Sequence, residues 1–322
     1  MRSITRFLAL AAMVLGAQCA WSQNWPTKPV RFIIPTGTGG SSDQIARILG
    51  DRLAAALGQP FLNENRPGGN GVAGTSYVAK SPADGYTFLF AFDFHATNPS
   101  LQKDLPYDTL KDFEPIMVFG KSPYALAVPA NSPYRSLAEL IAAAKAKPGV
   151  LTLGTSGVGS RGHLAVALME QRAGFKVTQA AYRGPAQVMN DVLGGQLTMQ
   201  MGSVFFVGPF YNNKRVNVLA VTSAARMPQW PNVPTVAEQG FPGYEVQSWW
   251  GLLAPTGAPQ PILSRLHAEL TRALAVAETR GRLEQLGVTV LSSTPEEFGK
   301  LIVSEMQLWG KVVRESGIKA AE

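Results

Sequence analysis

Cysteine is almost absent from this chain: Cys19 is the one residue of its kind in 322, and it lies in an apolar leader. A single thiol cannot build a disulfide framework or a zinc–thiolate centre, and a cysteine lost with the leader cannot serve as a nucleophile. Histidine is nearly as scarce. His95, His163 and His267 show no H-x-x-x-H spacing and no carboxylate cluster beside them, so a metal site has no support. Charge runs are missing as well. Basic residues outnumber acidic ones, 29 to 22, but they are scattered. That scatter excludes a nucleic-acid arm and leaves a mildly positive surface compatible with small anions. Beyond the leader no segment approaches the ~20 apolar residues that cross a bilayer. Repeats and low-complexity tracts are also absent.

The leader has the composition of a secretory signal peptide over residues 1–22. Arg2 and Arg6 supply the positive start, residues 7–17 are apolar but too short to span, and Ala20-Trp21-Ser22 offers a small-x-small cleavage site. Gln18 before Cys19 argues against a lipoprotein signal, which wants a small residue there. Cleavage after Ser22 leaves 27 basic against 22 acidic residues and no cysteine. The expected product is soluble, exported to the periplasm, and long enough for two domains with separate cores.

Short apolar runs then alternate with helical patterns. Strands are predicted at 61–63, 87–91, 125–129, 151–154, 177–180, 197–201, 216–222 and 249–254, with helices at 72–80, 137–145, 164–171 and 186–193 among them. This alternation predicts an α/β fold with largely parallel sheets. Ser136, Thr235 and Thr294 each precede a Glu by three positions, the spacing of a capping box. The last adds Pro295 and opens a long amphipathic helix to about 313. The tail from Pro259 reads as mainly helical and is expected to pack on the first domain.

The richest local signal is residues 31–43, Arg-Phe-Ile-Ile-Pro-Thr-Gly-Thr-Gly-Gly-Ser-Ser-Asp. An apolar strand breaks at Pro35 into a glycine turn that feeds a helix, so free N–H groups and the helix dipole converge on one point and favour an anion. It is not a Walker loop, because Ser41-Ser42-Asp43 follows Gly40 without lysine. It is not a dinucleotide fingerprint either, because Ser42 stands where the third glycine belongs. Ser41, with Gln44 three positions on in an S-x-x-Q box, reads equally as a helix cap or as a ligand contact. Two more strand–glycine turn–helix passages occur at 65–74 and 154–163. Ligands of open α/β sheets bind at such strand ends.

The third turn holds Ser156, Ser160 and His163, which raises a secreted serine hydrolase as the competing function. Val158 breaks the G-x-S-x-G elbow around both serines. His163 then reads as a loop residue or a ligand hydrogen-bond donor. Tyr182, at a strand end before Gly184-Pro185, lines a cleft or closes the core.

Motifs along the whole mature chain carry a resemblance. They are Trp25-Pro-Thr-Lys-Pro-Val-Arg, Glu64-Asn-Arg-Pro-Gly, Ala83-Asp-Gly-Tyr-Thr, Asn98-Pro-Ser-Leu, Lys111-Asp-Phe-Glu-Pro and Ser136-Leu-Ala-Glu-Leu. Further on come Asp191-Val-Leu-Gly-Gly-Gln, Leu219-Ala-Val-Thr-Ser-Ala, Asn232-Val-Pro-Thr-Val-Ala-Glu, Gly251-Leu-Leu-Ala-Pro and Ser293-Thr-Pro-Glu-Glu-Phe. In this order they resemble the extracytoplasmic solute-binding receptors of tripartite tricarboxylate transporters, the Bug family. The resemblance implies a type II periplasmic-binding-protein fold: two α/β lobes, a cleft between them, and crossings near 121–126 and 247–251. It divides the chain into lobe 1 (23–122 with 250–322) and lobe 2 (123–249).

The implied function is capture of a small organic solute by hinge closure, without catalysis or cofactor, for delivery to membrane permease subunits or a sensor-kinase ectodomain. The resemblance carries ligand contact, partly through water, onto Thr36, Gly37, Thr38, Gly39, Gly40 and Ser41 of the first turn. On the third turn it carries contact onto Thr155, Ser156 and Ser160. The chain departs from the family pattern at three places. Thr36 and Thr38 replace an aromatic and a proline. Phe92-Asp93-Phe94 replaces Gly-Thr-Ser and brings a carboxylate near the cleft. Gly202-Ser203 stands where an aspartate is usual and removes one. An ionised Asp93 facing the cleft would favour an amino- or amide-bearing ligand over a plain dicarboxylate; a solvent-facing Asp93 would leave a carboxylate acceptable.

Overall fold

A computed structural model describes residues 25–182 and 184–319; the segment expected to be a signal peptide lies outside these. The first βα units alternate as the sequence predicts: β1 (Val30–Ile34), α1 (Ser41–Leu57), β2 (Phe61–Asn65), α2 (Val72–Ala79), β3 (Thr87–Phe92) and α3 (Phe94–Leu101). β1 pairs in parallel with β2 and with β3. The run Thr-Phe-Leu-Phe-Ala-Phe of β3 is near-continuously apolar because helices cover both faces of the sheet. Then comes β4 (Phe113–Pro129), 17 residues long. Only its second half is predicted from the sequence, because Gly120, Lys121, Ser122 and Pro123 interrupt the apolar run.

The second set of units comprises α4 (Leu137–Ala146), β5 (Thr152–Thr155), α5 (Arg161–Ala173), β6 (Thr178–Ala181), α6 (Pro185–Leu193), β7 (Met199–Ser203), α7 (Val204–Asn212) and β8 (Val216–Val221). The chain returns through β9 (Gln247–Pro255) and finishes with α8 (Gln260–Ala275), α9 (Ala277–Gln285), β10 (Thr289–Val290) and α10 (Pro295–Ser316).

The registers give each lobe the same strand order. In the first, β2-β1-β3-β9-β4, the strand β9 runs antiparallel to β3 and β4. In the second, β6-β5-β7-β4-β8, the strand β4 runs antiparallel to β7 and β8. Each sheet thus borrows its antiparallel strand from a crossing segment. β4 pairs with β9 up to Pro123 and with β7 and β8 from Tyr124 onward, so the crossing falls at 123–124. This is the two-lobed α/β architecture expected from the sequence.

Two buried clusters flank the first sheet, one around Phe32, Phe90 and Trp250 and one around Leu89, Trp249 and Phe298; two more, including Leu153, Leu164 and Val188, flank the second. Helix α10 belongs to both halves. Its start carries the full capping box, with Thr294 and Glu297 bonding each other's backbone N–H, and it ends at left-handed Gly317. Phe298 and Ile302 belong to a buried cluster of the first lobe, whereas Trp309, Val312 and Val313 belong to the cluster of the second that holds Leu164, Leu168 and Tyr244. At 22 residues, α10 thus contributes to the cores of both halves and forms a third link between them.

Candidate ligand-binding site

Turn 1 spans 35–40, between β1 and α1. Gly37, Thr38 and Gly39 are exposed, and Gly39 takes the left-handed backbone (φ 79°) that its lack of a side chain permits. Ser41 is not the cap: Gly40 holds that position, Ser41 is the first helical residue, and the Gln44 amide donates to the Gly39 carbonyl. The buried Asp43 carboxylate instead accepts the Gly39 N–H at 3.0 Å and pairs with Arg47. Burial disfavours its charge, but the Arg47 guanidinium and the Gly39 N–H outweigh that and hold its carboxyl below the usual range. Asp43 is therefore satisfied within the turn. The N–H groups of Ser41 and Ser42 remain first-turn donors without intrahelical partners. Ser42 Oγ accepts from Trp250 Nε1 at 3.0 Å, which ties the start of α1 to the crossing strand β9.

Turn 2 is packed against turn 1. A side chain at Gly74 would meet the Arg66 carbonyl at 2.9 Å and Pro35 at 3.0 Å, so only glycine lets α2 approach both turns. Asn98 Nδ2 donates to the Asn70 carbonyl and fixes the tip of turn 2.

Turn 3, from the second lobe, begins with buried Thr155 and exposed Ser156. Gly159 (φ 74°) abuts α3 of the first lobe so closely that a Cβ would lie 2.4 Å from Leu101. The Gly159 N–H donates to His163 Nδ1 at 3.2 Å, and burial pushes the pKa of that imidazole down. Ser160 caps α5 with its backbone, while its buried Oγ has no partner among the described residues. The Ser160–His163 bond that a hydrolase would need is not formed, since His163 Nδ1 is occupied and Ser160 Oγ is unbonded.

The largest departure from the sequence reading concerns Asp93. It is 4% exposed and faces neither solvent nor the cleft as a free charge. Arg161, the first residue of α5, donates through Nε to Asp93 Oδ2 at 3.2 Å and through Nη2 to Glu305 of α10 at 2.7 Å. Ser248 Oγ of β9 donates to the same Asp93 oxygen and is bonded to Tyr124 Oη of β4 at 2.9 Å. Trp309 Nε1 donates to Glu305, and the guanidinium lies 4.5 Å from the Trp309 ring. Burial disfavours the Arg161 charge, but Glu305 and Asp93 outweigh it and raise its pKa. Burial, aided by the Asp93 charge, raises that of the Tyr124 phenol. One cation and two carboxylates from three elements thus meet where the lobes join, and they carry one net formal negative charge. The condition for an amine-preferring cleft, an unpaired Asp93, is not met. Sequence reading missed Arg161, although a signal existed: a cation at the first position of a helix opposes the dipole and implies a carboxylate partner.

The aromatic residues beside Asp93 complete this wall. Phe92 and Phe94 are half-buried, with ring centroids 5.3 Å apart at 71°. Phe92 also lies against Trp250 at 5.5 Å. Phe94 covers Gly71 of turn 2, where a Cβ would come within 2.1 Å of its ring.

The remaining sequence candidates are Tyr182, Gly202 and Ser203. Tyr182 donates its hydroxyl to Asp191 of α6, and that bond raises its pKa. Gly202 sits inside β7 opposite Ala125, where a side chain would strike Gln200 and Val207; Ser203 pairs with Tyr124 at the crossing and caps α7. A separate groove of about 800 Å³ between α8 and α10, lined by His267, Glu296 and Lys300, includes none of the turn residues.

Comparison with known proteins places this geometry in context. The family described as "Tripartite tricarboxylate transporter family receptor" matches residues 45–318. A relative from Pseudomonas sp. (strain P51), a UPF0065 protein of the tcbD-tcbE intergenic region, is 34% identical, with 99% of this chain and 95% of the relative covered. Rpa4515 of R. palustris, solved with adipate, is 34% identical with a TM-score of 0.85, covering 92% of this chain and all of that one. MatC of Rhodopseudomonas palustris, solved with malate, is 28% identical with a TM-score of 0.80, covering 90% of this chain and 100% of its own.

Proposed function

Because the chain belongs to the tripartite tricarboxylate transporter receptor family, whose members are periplasmic solute-binding proteins, we propose that it captures a small carboxylate between turn 1 and turn 3. The observation that carries this reading is the presence of two glycine turns, one from each lobe, each opening a helix N-terminus. Each also holds a buried hydroxyl without a protein partner, Thr36 Oγ1 on one side and Ser160 Oγ on the other. Buried polar atoms are rarely left unpaired, so these two suit a polar ligand or water arriving between the lobes. The dipoles of α1 and α5 favour an anion there. Adipate and malate in the two solved relatives are carboxylates, the class that suits these donors.

Thr36, Gly37, Thr38, Gly39, Gly40 and Ser41 supply the first jaw, and Thr155, Ser156 and Ser160 the second. His163 braces the second jaw through Gly159, and Asp93 works from behind, by holding Arg161. Binding draws the lobes together about the crossings, and the closed form is what permease subunits, or a sensor-kinase ectodomain, would read. The exported protein begins after Ser22. Native mass spectrometry of freshly purified protein tests the reading: the expected result is a retained organic acid that dissociates on denaturation. Protein that carries no ligand and gives no calorimetric signal with any carboxylate would overturn it.

A further inference from the structure

We propose that the preferred ligand is an aromatic monocarboxylate whose ring rests on Phe92 and Phe94; this deepens the carboxylate-capture reading and rests on it. Three observations place the two rings in the cleft wall. Both are half-buried and flank Asp93 at the carboxyl end of β3. Asp93 is bonded to Arg161, which directly follows turn 3, and Phe92 lies against Trp250, which is bonded to Ser42 beside turn 1. The segment 92–94 therefore stands between the two turns that would hold the carboxylate.

The shape of the pair selects a flat partner. The two rings already meet edge to face, 5.3 Å apart at 71°, and a flat ring laid on this pair gains the same kind of aromatic contact. Trp250 backs Phe92, and left-handed Gly71 seats Phe94, so the pair is in place before binding.

Charge argues for one carboxylate rather than two. The cluster that includes Asp93, between the two phenylalanines, with Glu305 and Arg161 carries one net formal negative charge and is largely buried. A second carboxylate at the aromatic end would face that charge, whereas an uncharged ring does not.

Calorimetry with benzoate, cyclohexanecarboxylate, adipate and malate tests the proposal on the full mature chain. Benzoate should bind tightest, and cyclohexanecarboxylate, equal in carboxylate and similar in size, should be weaker by roughly 3- to 10-fold, the range of an aromatic pair. Phe94→Leu should erase the benzoate advantage and leave adipate within about 2-fold, with thermal unfolding to verify folding; Phe92→Leu is the second variant should the first not fold. Adipate or malate binding while benzoate does not, or a benzoate preference that survives in a folded variant, overturns the proposal and leaves carboxylate capture standing. Silence from all four acids counts against carboxylate capture itself, and the ring proposal falls with it.

Discussion

Replacing Arg161 by methionine removes the cation on which Asp93 and Glu305 converge while keeping much of the side-chain volume. The Arg161 and Asp93 side chains are 1% and 5% exposed, and that of Glu305 is 16%, so water cannot stand in for the guanidinium. Breaking a buried pair by removing one partner costs about 3–5 kcal/mol, because the other charge is left uncompensated. Two carboxylates are stranded here, but Glu305 keeps the Trp309 N–H and some solvent, which argues for the lower half of that range. The loss is large against a typical total of about 5–15 kcal/mol. Urea unfolding followed by tryptophan fluorescence is a direct assay, since Trp249 and Trp309 both adjoin the cluster. Adding Asp93→Asn to Arg161→Met should recover part of the loss, with a coupling of about 1–3 kcal/mol in the double-mutant cycle. A single variant within about 1 kcal/mol of the parent, with no coupling, would refute the buried-cluster reasoning.

Acid should destabilise the first lobe through His95, which is fully buried against Tyr107 and Phe113 and whose pKa burial lowers to about 4 from an ordinary 6.5. The unfolded state binds this proton more readily, so the contribution is complete above pH 6.5 and is lost as pH falls toward 4. It amounts to about 2 kcal/mol between pH 7 and 5. His95→Leu should flatten that part of the urea-midpoint profile, and an unchanged slope would remove His95 as its source. Thr294→Ala deletes the capping box of the helix that links both cores and should cost about 1 kcal/mol in the same assay, against a null change if the cap is idle.

Much of the fold was legible because its strands are apolar and its breaks are punctuated by glycine and proline. Turn 1 and turn 3 could be read as strand–glycine–helix passages from residue types alone. What escaped were elements whose composition contradicts their conformation. Helix α3 contains Pro99 and helix α7 contains Pro209, each a residue that argues locally against a helix but is tolerated in a packed one. The first half of β4 was hidden by Gly120 and Pro123; Gly120 is required because a Cβ there would lie 2.6 Å from Val288. At the site, the sequence drew attention to Asp93 but could not show its partner. Arg161 is 68 residues away, and the helix α10 that supplies Glu305 was assigned wholly to one lobe. Whether an acidic residue faces a ligand or a guanidinium is set by such distant contacts, and nothing local to Phe92-Asp93-Phe94 encodes it.

Lobe closure around a carboxylate held by turns 1 and 3 can be read as a distance. Spin labels at Asn70→Cys on turn 2 and Ala186→Cys at the start of α6, in the mature chain from residue 23 onward, place one exposed probe on each lobe beyond an edge strand. Pulsed electron–electron resonance without ligand and with saturating benzoate or adipate is the deciding measurement. The expected result is a shorter and narrower distance distribution in the presence of the acid. Saturable binding of the same acid with an unchanged distribution would contradict capture by closure.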